Sequence, residues 1–555
     1  MDRNAARLAH LRGVVCPAAG VTAAAVHGER HAPPAAAESG LLSDLQVREF
    51  IANGVLSLPV ADLPVALHRA IHAKGEALND AGKNPGDGIY KGPDGIAELD
   101  DLLSAPSVLG ALTSLLGAGW AMASHRHMHT NVPAGSPDQQ LHKDSQRTKP
   151  SPHRPRSLFI FYVPRGATVQ MGATAVVNGS PFVSTDQQDW GVVNEAVENL
   201  GPGLVKTQLV TPVEQGTIVL AHHGIIHGAS ARLEDDLGHP WRPMFKFIYY
   251  RREDPSRPSW NRQVDEPLAP WEELTSEPSL VPAMESVWQW MCGETGKPAE
   301  GEDVAATVGW AAMLVAPAAK GDEAARVGAS YQLGRAASAG DAAALEALVG
   351  ALVSETEGAR RAAVHGLQAA GDCAVSALLG VLENADDHET LMSTTDALGE
   401  AAVTPSSDVV AAIDVALLKL HALIETSTDL RAWTSGEAQR EQWMLEADTA
   451  ATGCCIALSH IGLRAVAAKD LAVCEQILQT LLPYMRATGP SRGDWYLDNE
   501  NNHNHGANIS GVHKYVTTGT PATTRVRVRS APDISDRLLL LQCGRGRCGL
   551  PLRAP

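Results

Sequence analysis

The first segment with a periodic pattern of apolar and polar residues is 41–59, "LLSDLQVREFIANGVLSLP". Ser43 is at the expected N-cap position, where its side chain would accept a backbone hydrogen bond. Asn53-Gly54 is typical of the C-terminal end of a helix. The pattern therefore predicts a helix that ends at Gly54 and is followed by a short strand. The apolar positions of that helix are Leu45, Val47, Phe50 and Ile51.

Between about residues 120 and 255 the pattern changes to short runs rich in β-branched and aromatic residues. These runs are "SLFIFYVP", "ATAVVNGS", "GTIVLAHH" and "RPMFKFIYYR". In the last run, Phe245, Phe247 and Tyr249 alternate with Lys246 and Ile248, which is typical of a half-buried strand. Several such strands without long helices between them predict an antiparallel sandwich or barrel.

After about residue 303 the chain is rich in Ala and Leu, and its pattern is almost wholly helical. Residues 325–337 align with 359–371, which lie 34 positions later, and Leu333 then matches Leu367. A looser third copy places Leu398 at the same position. A repeat of thirty-odd residues favours stacked helix pairs of a HEAT-like solenoid, with a plain Ala-rich helical bundle as the alternative.

Composition and charge limit the classes of function. The net charge of −18 argues against general affinity for nucleic acid or an anionic membrane surface. The eight cysteines have no zinc-type spacing and indicate reduced thiols in an intracellular, soluble protein. No apolar run is long enough to span a membrane. Residues 1–40 form an Ala-rich leader, either disordered or an organelle transit segment, so the compartment is cytoplasmic or organellar.

Candidate chemistry is concentrated in "LHKDSQ", residues 141–146. On a strand, His142 and Asp144 point to one face, so an imidazole and a carboxylate converge. His227, in "HGAS" after a later strand, could complete a facial triad of two histidines and one carboxylate, leaving metal positions for a 2-oxo acid and O₂. Arg242, at the start of the next strand, could pair with the distal carboxylate of 2-oxoglutarate.

Other residues compete for these roles or lie near them. His222 and His223 are rival distal ligands, and Arg232 is a rival anchor. A predicted strand places three further histidines on one face, lining either a substrate pocket or a polar sheet surface; they are His125, His127 and His129. His153, beside "RPR", is expected to be solvated. His503 and His505 fit a solvated polar loop better than a metal site.

In these motifs the sequence resembles the phytanoyl-CoA dioxygenase family of iron(II)/2-oxoglutarate oxygenases. The resemblance covers roughly residues 41–255 and rests on "VREFIANGVLSLP", "LHKD", "FYVPRGATVQMGATAVVNGS" and "GTIVLAHHGIIHGAS", in that order, with a following arginine. It implies a double-stranded β-helix, or jelly roll, with flanking helices. It also implies iron(II) held by His142, Asp144 and His227, and 2-oxoglutarate anchored by Arg242.

The chain departs from the family pattern in several places. Asn178-Gly179-Ser180-Pro181 stands where the family commonly has Pro-Gly-Ser-His, which indicates a different role for this turn. "LEDDLGHP" lengthens the segment before Arg242. Ala229 replaces a residue that often carries a hydroxyl, and Ser230 could compensate. Because Asp144 is present, hydroxylation is favoured over halogenation.

The predicted organisation is a multidomain chain. Its parts are the leader 1–40, the jelly-roll domain 41–255, a Pro- and Trp-rich connector 256–302, helical repeats 303–493 and an irregular tail 494–555. The predicted function is hydroxylation of a small organic or acyl substrate, with 2-oxoglutarate and O₂ converted to succinate and CO₂. The alternatives are an inactive oxygenase-like scaffold whose repeats bind a protein partner, and a cupin-type small-molecule binder, which would not need Arg242.

Overall fold

The computed structural model describes residues 22–23, 40–83, 85–90, 92, 94–130, 134–144, 152–183, 200–213, 215–233, 242–294, 304–316, 322–426, 454, 456–486 and 528–529. The chain forms two compact units, Ala32–Val403 and a second made of Met1–His31 with Thr404–Pro555. Nearly all of the predicted leader and tail, with His503 and His505, lies outside the described residues. So does most of the "LEDDLGHP" loop.

Eight strands of the first unit form two antiparallel sheets. The strands are β1 Val55–Pro59, β2 Ala121–His129, β3 Ser157–Val163, β4 Ala175–Val177, β5 Lys206–Gln208, β6 Thr217–His222, β7 Ile226–Gly228 and β8 Met244–Tyr250. The larger sheet has the order β1-β6-β3-β8-β2, and the smaller has the order β5-β4-β7. An isolated antiparallel bridge joins His142 to His227 and continues the smaller sheet beyond β7.

Helices of the same unit flank the larger sheet and then continue towards the C-terminus. They are α1 Asp44–Asn53, α2 Val65–Asp80, α3 Leu99–Leu103, α4 Pro106–Leu116, α5 Trp271–Leu274, α6 Val281–Met291, α7 Val304–Val315, α8 Asp322–Ser338, α9 Ala342–Leu352, α10 Glu357–Ala370, α11 Val375–Asn384 and α12 His388–Ala401. Short 3₁₀ turns occupy Gly86–Ile89, Ser180–Phe182, Pro278–Leu280 and Gly371–Ala374.

The second unit contains α13 Ser407–Thr426, a helix over 456–468 and α14 Leu471–Arg486. Thr22–Ala23 pairs with Val528–Arg529 in a short antiparallel ladder. None of the described helices in either unit is both long enough and apolar enough to cross a membrane.

Helix α1 begins and ends where the sequence predicts. The Ser43 side chain accepts from the Gln46 backbone, and the Gln46 side chain accepts in return from the Ser43 backbone, which forms a capping box. Gly54 ends the helix with φ of 77°, a left-handed conformation that favours glycine. Strand β1 follows at once. The buried face of α1 includes Val47 and Phe50.

Both faces of the larger sheet are buried. On β8, Phe245 and Phe247 face the helices and belong to the main core. Ile248 faces the other way and packs with Phe159 and Phe161 of β3 between the sheets. The predicted alternation holds for Phe245, Phe247 and Lys246 and fails at Ile248, which is buried. Helices cover the face that an open antiparallel sheet would leave to solvent.

The helical segment stacks in the order that the sequence repeat predicts. Helix α8 packs on α10, and α10 packs on α12, with α9 and α11 between them in the chain. Leu333, Leu367 and Leu398 lie on these three helices and have no exposed surface. Each therefore occupies an interior position, as the alignment of the copies requires.

The helical segment is also joined to the larger sheet by buried polar contacts. His153, expected to be solvated, is 3% exposed. Its ring stacks on His365 of α10 at a centroid distance of 3.4 Å, and its Nδ1 lies 2.9 Å from the Tyr331 hydroxyl of α8. The sequence expectation fails because solvation was inferred from neighbouring charges, whereas the helices that bury the ring come from almost two hundred residues further along the chain.

Candidate metal centre

The three predicted ligands come together at one end of the smaller sheet. The Nε2 of His142 lies 3.5 Å from Oδ1 of Asp144, and the Nε2 of His227 lies 3.7 Å from Oδ2. One ligand atom from each residue lies within 4.8 Å of the others, and no other such group was found among the described residues. The two imidazole centroids are 4.6 Å apart.

Local backbone contacts orient both imidazoles for metal binding. The Nδ1 of His142 lies 3.0 Å from the Gln140 carbonyl, and the Nδ1 of His227 lies 3.2 Å from the Ile225 carbonyl. In each case the carbonyl two residues earlier can accept only if Nδ1 carries the proton. That tautomer leaves the Nε2 lone pair free to coordinate a metal.

Protonation favours the same arrangement. Burial lowers the pKa of His227 to about 3, so the imidazole is neutral at physiological pH, as a metal ligand must be. Burial acts against the ionised form of Asp144, but the Lys246 ammonium and the two ligand histidines outweigh it. They hold the pKa of the Asp144 carboxyl well below its usual value. The candidate donor set is therefore the neutral His227 imidazole and the Asp144 carboxylate, with the His142 imidazole beside them.

The other candidate histidines take different positions. His222 lies on β6, is buried, and accepts at Nδ1 from the Gly224 N–H. The ring of His223 packs edge-on against Phe159 at 4.8 Å. Neither joins the group of three ligands. His127 and His129 on β2 lie near the metal centre, because His127 is opposite Lys246, which contacts Asp144, in the ladder between β2 and β8. They therefore border the site.

Lys143, between two of the candidate ligands, ties their segment to a neighbouring turn. Its ammonium donates to the Ser180 carbonyl at 2.8 Å and to the Val183 carbonyl at 2.5 Å. Ser180 also holds the other ligand segment, since its Oγ accepts from the Ile226 N–H at 2.8 Å. The Asn-Gly-Ser-Pro turn, which departs from the family pattern, therefore connects both segments that carry the ligands.

We expect Ser180→Ala to weaken metal binding several-fold and to lower the free energy of unfolding by about 1–3 kcal/mol, because the buried Ile226 N–H loses its acceptor. Isothermal titration with Mn²⁺ and urea unfolding measure the two effects. Ser330→Ala is the control. Ser330 is also fully buried, but its hydroxyl donates to the Val327 carbonyl within its own helix. Equal Mn²⁺ affinity in both variants would contradict this role of Ser180.

Arg242 lies just before β8 and is 4% exposed. Its Nη2 donates to the Gly172 carbonyl at 2.7 Å, and burial lowers its pKa to about 10. Gly172 has φ of 71°, and a Cβ there would lie 2.4 Å from the Ser230 carbonyl oxygen. A glycine is therefore required where Arg242 and Ser230 approach. Arg232, the rival anchor, is half-buried in the segment that follows β7.

Sequence reasoning missed Lys246, Lys143 and Ser180. The ammonium of Lys246 forms an ion pair with Asp144 and lies over the Phe159 ring, 4.1 Å from its centroid. The alternation along β8 already predicted that Lys246 lies on the face opposite Phe245, Phe247 and Tyr249. That position was a usable signal that Lys246 has a separate role. The roles of Lys143 and Ser180 have no such signal, because they depend on contacts between segments distant in the sequence.

No family model matches the chain, and no curated protein matches it. Several solved structures are similar to part of it. The non-heme α-ketoglutarate-dependent carbocyclase SnoK from nogalamycin biosynthesis is 18% identical, with a TM-score of 0.30, over 38% of this chain and 85% of that one. The epimerase SnoN in complex with Fe³⁺, α-ketoglutarate and nogalamycin RO is 14% identical, with a TM-score of 0.30, over 40% and 85%.

EctD from S. alaskensis, with 2-oxoglutarate and 5-hydroxyectoine, is 16% identical, with a TM-score of 0.29, over 41% of this chain and 82% of that one. Similarities with TM-scores this low carry no argument about the chain.

Proposed function

We propose that residues 41–255 form a double-stranded β-helix, followed by a solenoid of helix pairs. The strand order supports this. If the His142 bridge counts as a strand between β2 and β3, the chain from β2 to β8 has eight strands. The first, third, sixth and eighth of them, which are β2, β3, β6 and β8, share one sheet. The second, fourth, fifth and seventh share the other. This division is that of a jelly roll. The alignment of α8, α10 and α12 supports the solenoid.

We further propose that the protein is an iron(II)/2-oxoglutarate-dependent dioxygenase that hydroxylates a small molecule, with His142, Asp144 and His227 as iron ligands. The observation that carries this proposal is the convergence of two Nε2 atoms and a carboxylate within 4.8 Å. Both histidines have Nδ1 directed at a backbone carbonyl. Two histidines and one carboxylate with open positions are the ligand set of non-heme iron(II) oxygenases.

When bound there, iron(II) would couple the decarboxylation of 2-oxoglutarate by O₂ to the oxidation of a C–H bond, releasing succinate and CO₂. The residues of the chain orient and enclose the reactants. Arg242 would bind the distal carboxylate of 2-oxoglutarate. Phe159, Phe161 and Ile248 form an apolar wall between the sheets and keep water from the reacting carbon.

Anaerobic titration tests the proposed function. Addition of iron(II) and then 2-oxoglutarate to the full chain should give the weak visible charge-transfer band of the chelate, and O₂ should then yield succinate. A chain that binds iron(II) and 2-oxoglutarate but gives no succinate with any substrate would favour the scaffold alternative. A chain that binds neither would overturn the proposal.

Arg242→Ala should weaken 2-oxoglutarate binding by about 2–5 kcal/mol, the range for truncating one partner of a buried charge pair. That is roughly a 30-fold to several-thousand-fold change in Kd, measured by titration of the Mn²⁺-loaded protein. Arg242→Lys keeps the charge but loses the two-pronged hydrogen-bond geometry, so it should mainly raise the apparent KM for 2-oxoglutarate. Metal binding should change little in both variants.

Arg232→Ala is the matched control and should be near neutral, because Arg232 lies in the segment after β7, whereas Arg242 lies just before β8. The reverse result, with a large effect at Arg232 and none at Arg242, would make Arg232 the anchor.

A further inference from the structure

Lys246 places a cation directly beside the candidate metal ligands. It lies on the inner face of β8, with its side chain 11% exposed, and its ammonium contacts the Asp144 carboxylate. Its other neighbours are the ring faces of Phe159 and Phe161. When Asp144 binds a metal, its negative charge is shared with that metal, and the ion pair with Lys246 is weakened.

Two histidines lie beside Lys246, between it and the solvent. His127 lies directly opposite Lys246 in the ladder between β2 and β8, and His129 lies two residues further along the same face. Their rings are 5.9 Å apart, and His129 is exposed. His129 therefore reaches the surface on the side of the metal centre that carries Lys246.

Lys246 and Arg242 serve opposite ends of the co-substrate site. Arg242 lies two residues before β8 and four residues before Lys246, a separation of at most roughly 13 Å between Cα atoms at about 3.3 Å per residue of extended chain. A guanidinium that binds the distal carboxylate of 2-oxoglutarate therefore leaves Lys246 at the metal end, facing the substrate.

Charge balance indicates what Lys246 binds. A divalent metal, Arg242 and Lys246 together carry four positive charges, whereas Asp144 and the 2-oxoglutarate dianion carry three negative charges. Asp144 is the carboxylate that contacts Lys246 and both candidate histidines. Counted over these groups alone, one positive charge remains to be balanced, and an unbalanced charge is costly in a largely buried site. A single carboxylate balances it, and a phosphate dianion would exceed it.

We propose that the substrate is a small molecule bearing a carboxylate, and that Lys246, with His127 and His129 beside it, receives that carboxylate and fixes which carbon faces the metal. This inference rests on the proposed function. The aromatic rings under the ammonium would hold the apolar part of the substrate next to its charged group.

The test uses the full chain loaded with Mn²⁺ and 2-oxoglutarate without turnover. The probes are monocarboxylates of increasing chain length, each paired with its primary amide, and paramagnetic relaxation of the probe protons reports binding near the metal. We expect carboxylates to bind roughly 10- to 100-fold tighter than their amides, the range for a hydrogen bond to a charged group. Lys246→Met should remove this preference, and Lys246→Arg should retain it.

Lys206→Met is the control, because Lys206 is 47% exposed on β5 in the smaller sheet and pairs with Asp138. It should leave the preference intact. Wild-type protein that binds Mn²⁺ and 2-oxoglutarate but does not distinguish acids from amides would overturn this inference alone. So would an undiminished preference in Lys246→Met, or a selective loss of 2-oxoglutarate binding there, which would make Lys246 a co-substrate anchor. Absence of Mn²⁺ and 2-oxoglutarate binding in the wild type would overturn the proposed function with it.

Discussion

Replacing His142 by Ala, or Asp144 by Asn, is expected to abolish succinate formation and to weaken Mn²⁺ binding by more than about 100-fold. Loss of an outer-shell partner of a metal ligand already costs roughly 10- to 100-fold in affinity or activity, and loss of a ligand removes a direct bond. Isothermal titration with Mn²⁺ and a succinate assay measure the two effects. Asparagine is preferred at position 144 because its amide oxygen can still accept from Lys246.

The fold should survive these changes, because the His142 and Asp144 side chains lie at the rim of the site and are 10% and 21% exposed. Circular dichroism should therefore match the wild type. Asp138→Asn is the control. Asp138 lies six residues upstream, and its Oδ1 accepts from the Ala231 N–H, a bond that an amide oxygen can replace. Wild-type succinate formation by either ligand variant would rule out the facial triad.

Replacing Glu400 by Ala is expected to lower the free energy of unfolding by about 3–5 kcal/mol, the cost of removing one partner from a buried ion pair. Glu400, on α12, receives two hydrogen bonds from Arg156, at 2.6 and 2.7 Å, and one from Arg154 at 2.7 Å. These carboxylate and guanidinium side chains are at most 8% exposed. Urea unfolding measures the loss.

Glu389→Ala is the matched control, because Glu389 lies on the same helix and is exposed. Its removal should change the free energy of unfolding by less than about 1 kcal/mol. Equal effects of the two substitutions would show that the buried network contributes little to stability.

The same contacts bear on the predicted division of the chain. Arg154 and Arg156 immediately precede β3, a central strand of the larger sheet, and their carboxylate partner lies on α12 within the same compact unit. A fragment of residues 41–302 would keep both guanidinium groups and lose Glu400. We therefore expect that fragment to be poorly soluble, although the connector at 256–302 reads as a linker in the sequence. A soluble fragment with full 2-oxoglutarate turnover would contradict this expectation.

Local signals in the sequence predicted several features closely. The cap at Ser43, the glycine at 54 and the strand after it follow from short-range hydrogen bonding and backbone sterics, which act within a few residues. The close spacing of His142 and Asp144 is likewise a local property, although only an isolated bridge at His142 forms where the sequence predicts a strand. The recurrence of Leu333, Leu367 and Leu398 depends on the helical period and on a repeated unit, and both are visible in the residues themselves.

Only the tertiary structure decided which of the remaining polar groups belong together. His153 became buried because α8 and α10 cover it. Lys246 of β8 contacts Asp144, which lies 102 residues earlier in the chain, only because folding brings the two segments together. Ser180 holds both ligand segments through contacts that span 37 and 46 residues. Contacts of this kind form where chain segments distant in sequence pack together, so no pattern within a short window of the sequence encodes them. The sequence alone determined which residue types are available for the candidate metal centre, and packing determined the charges that surround them.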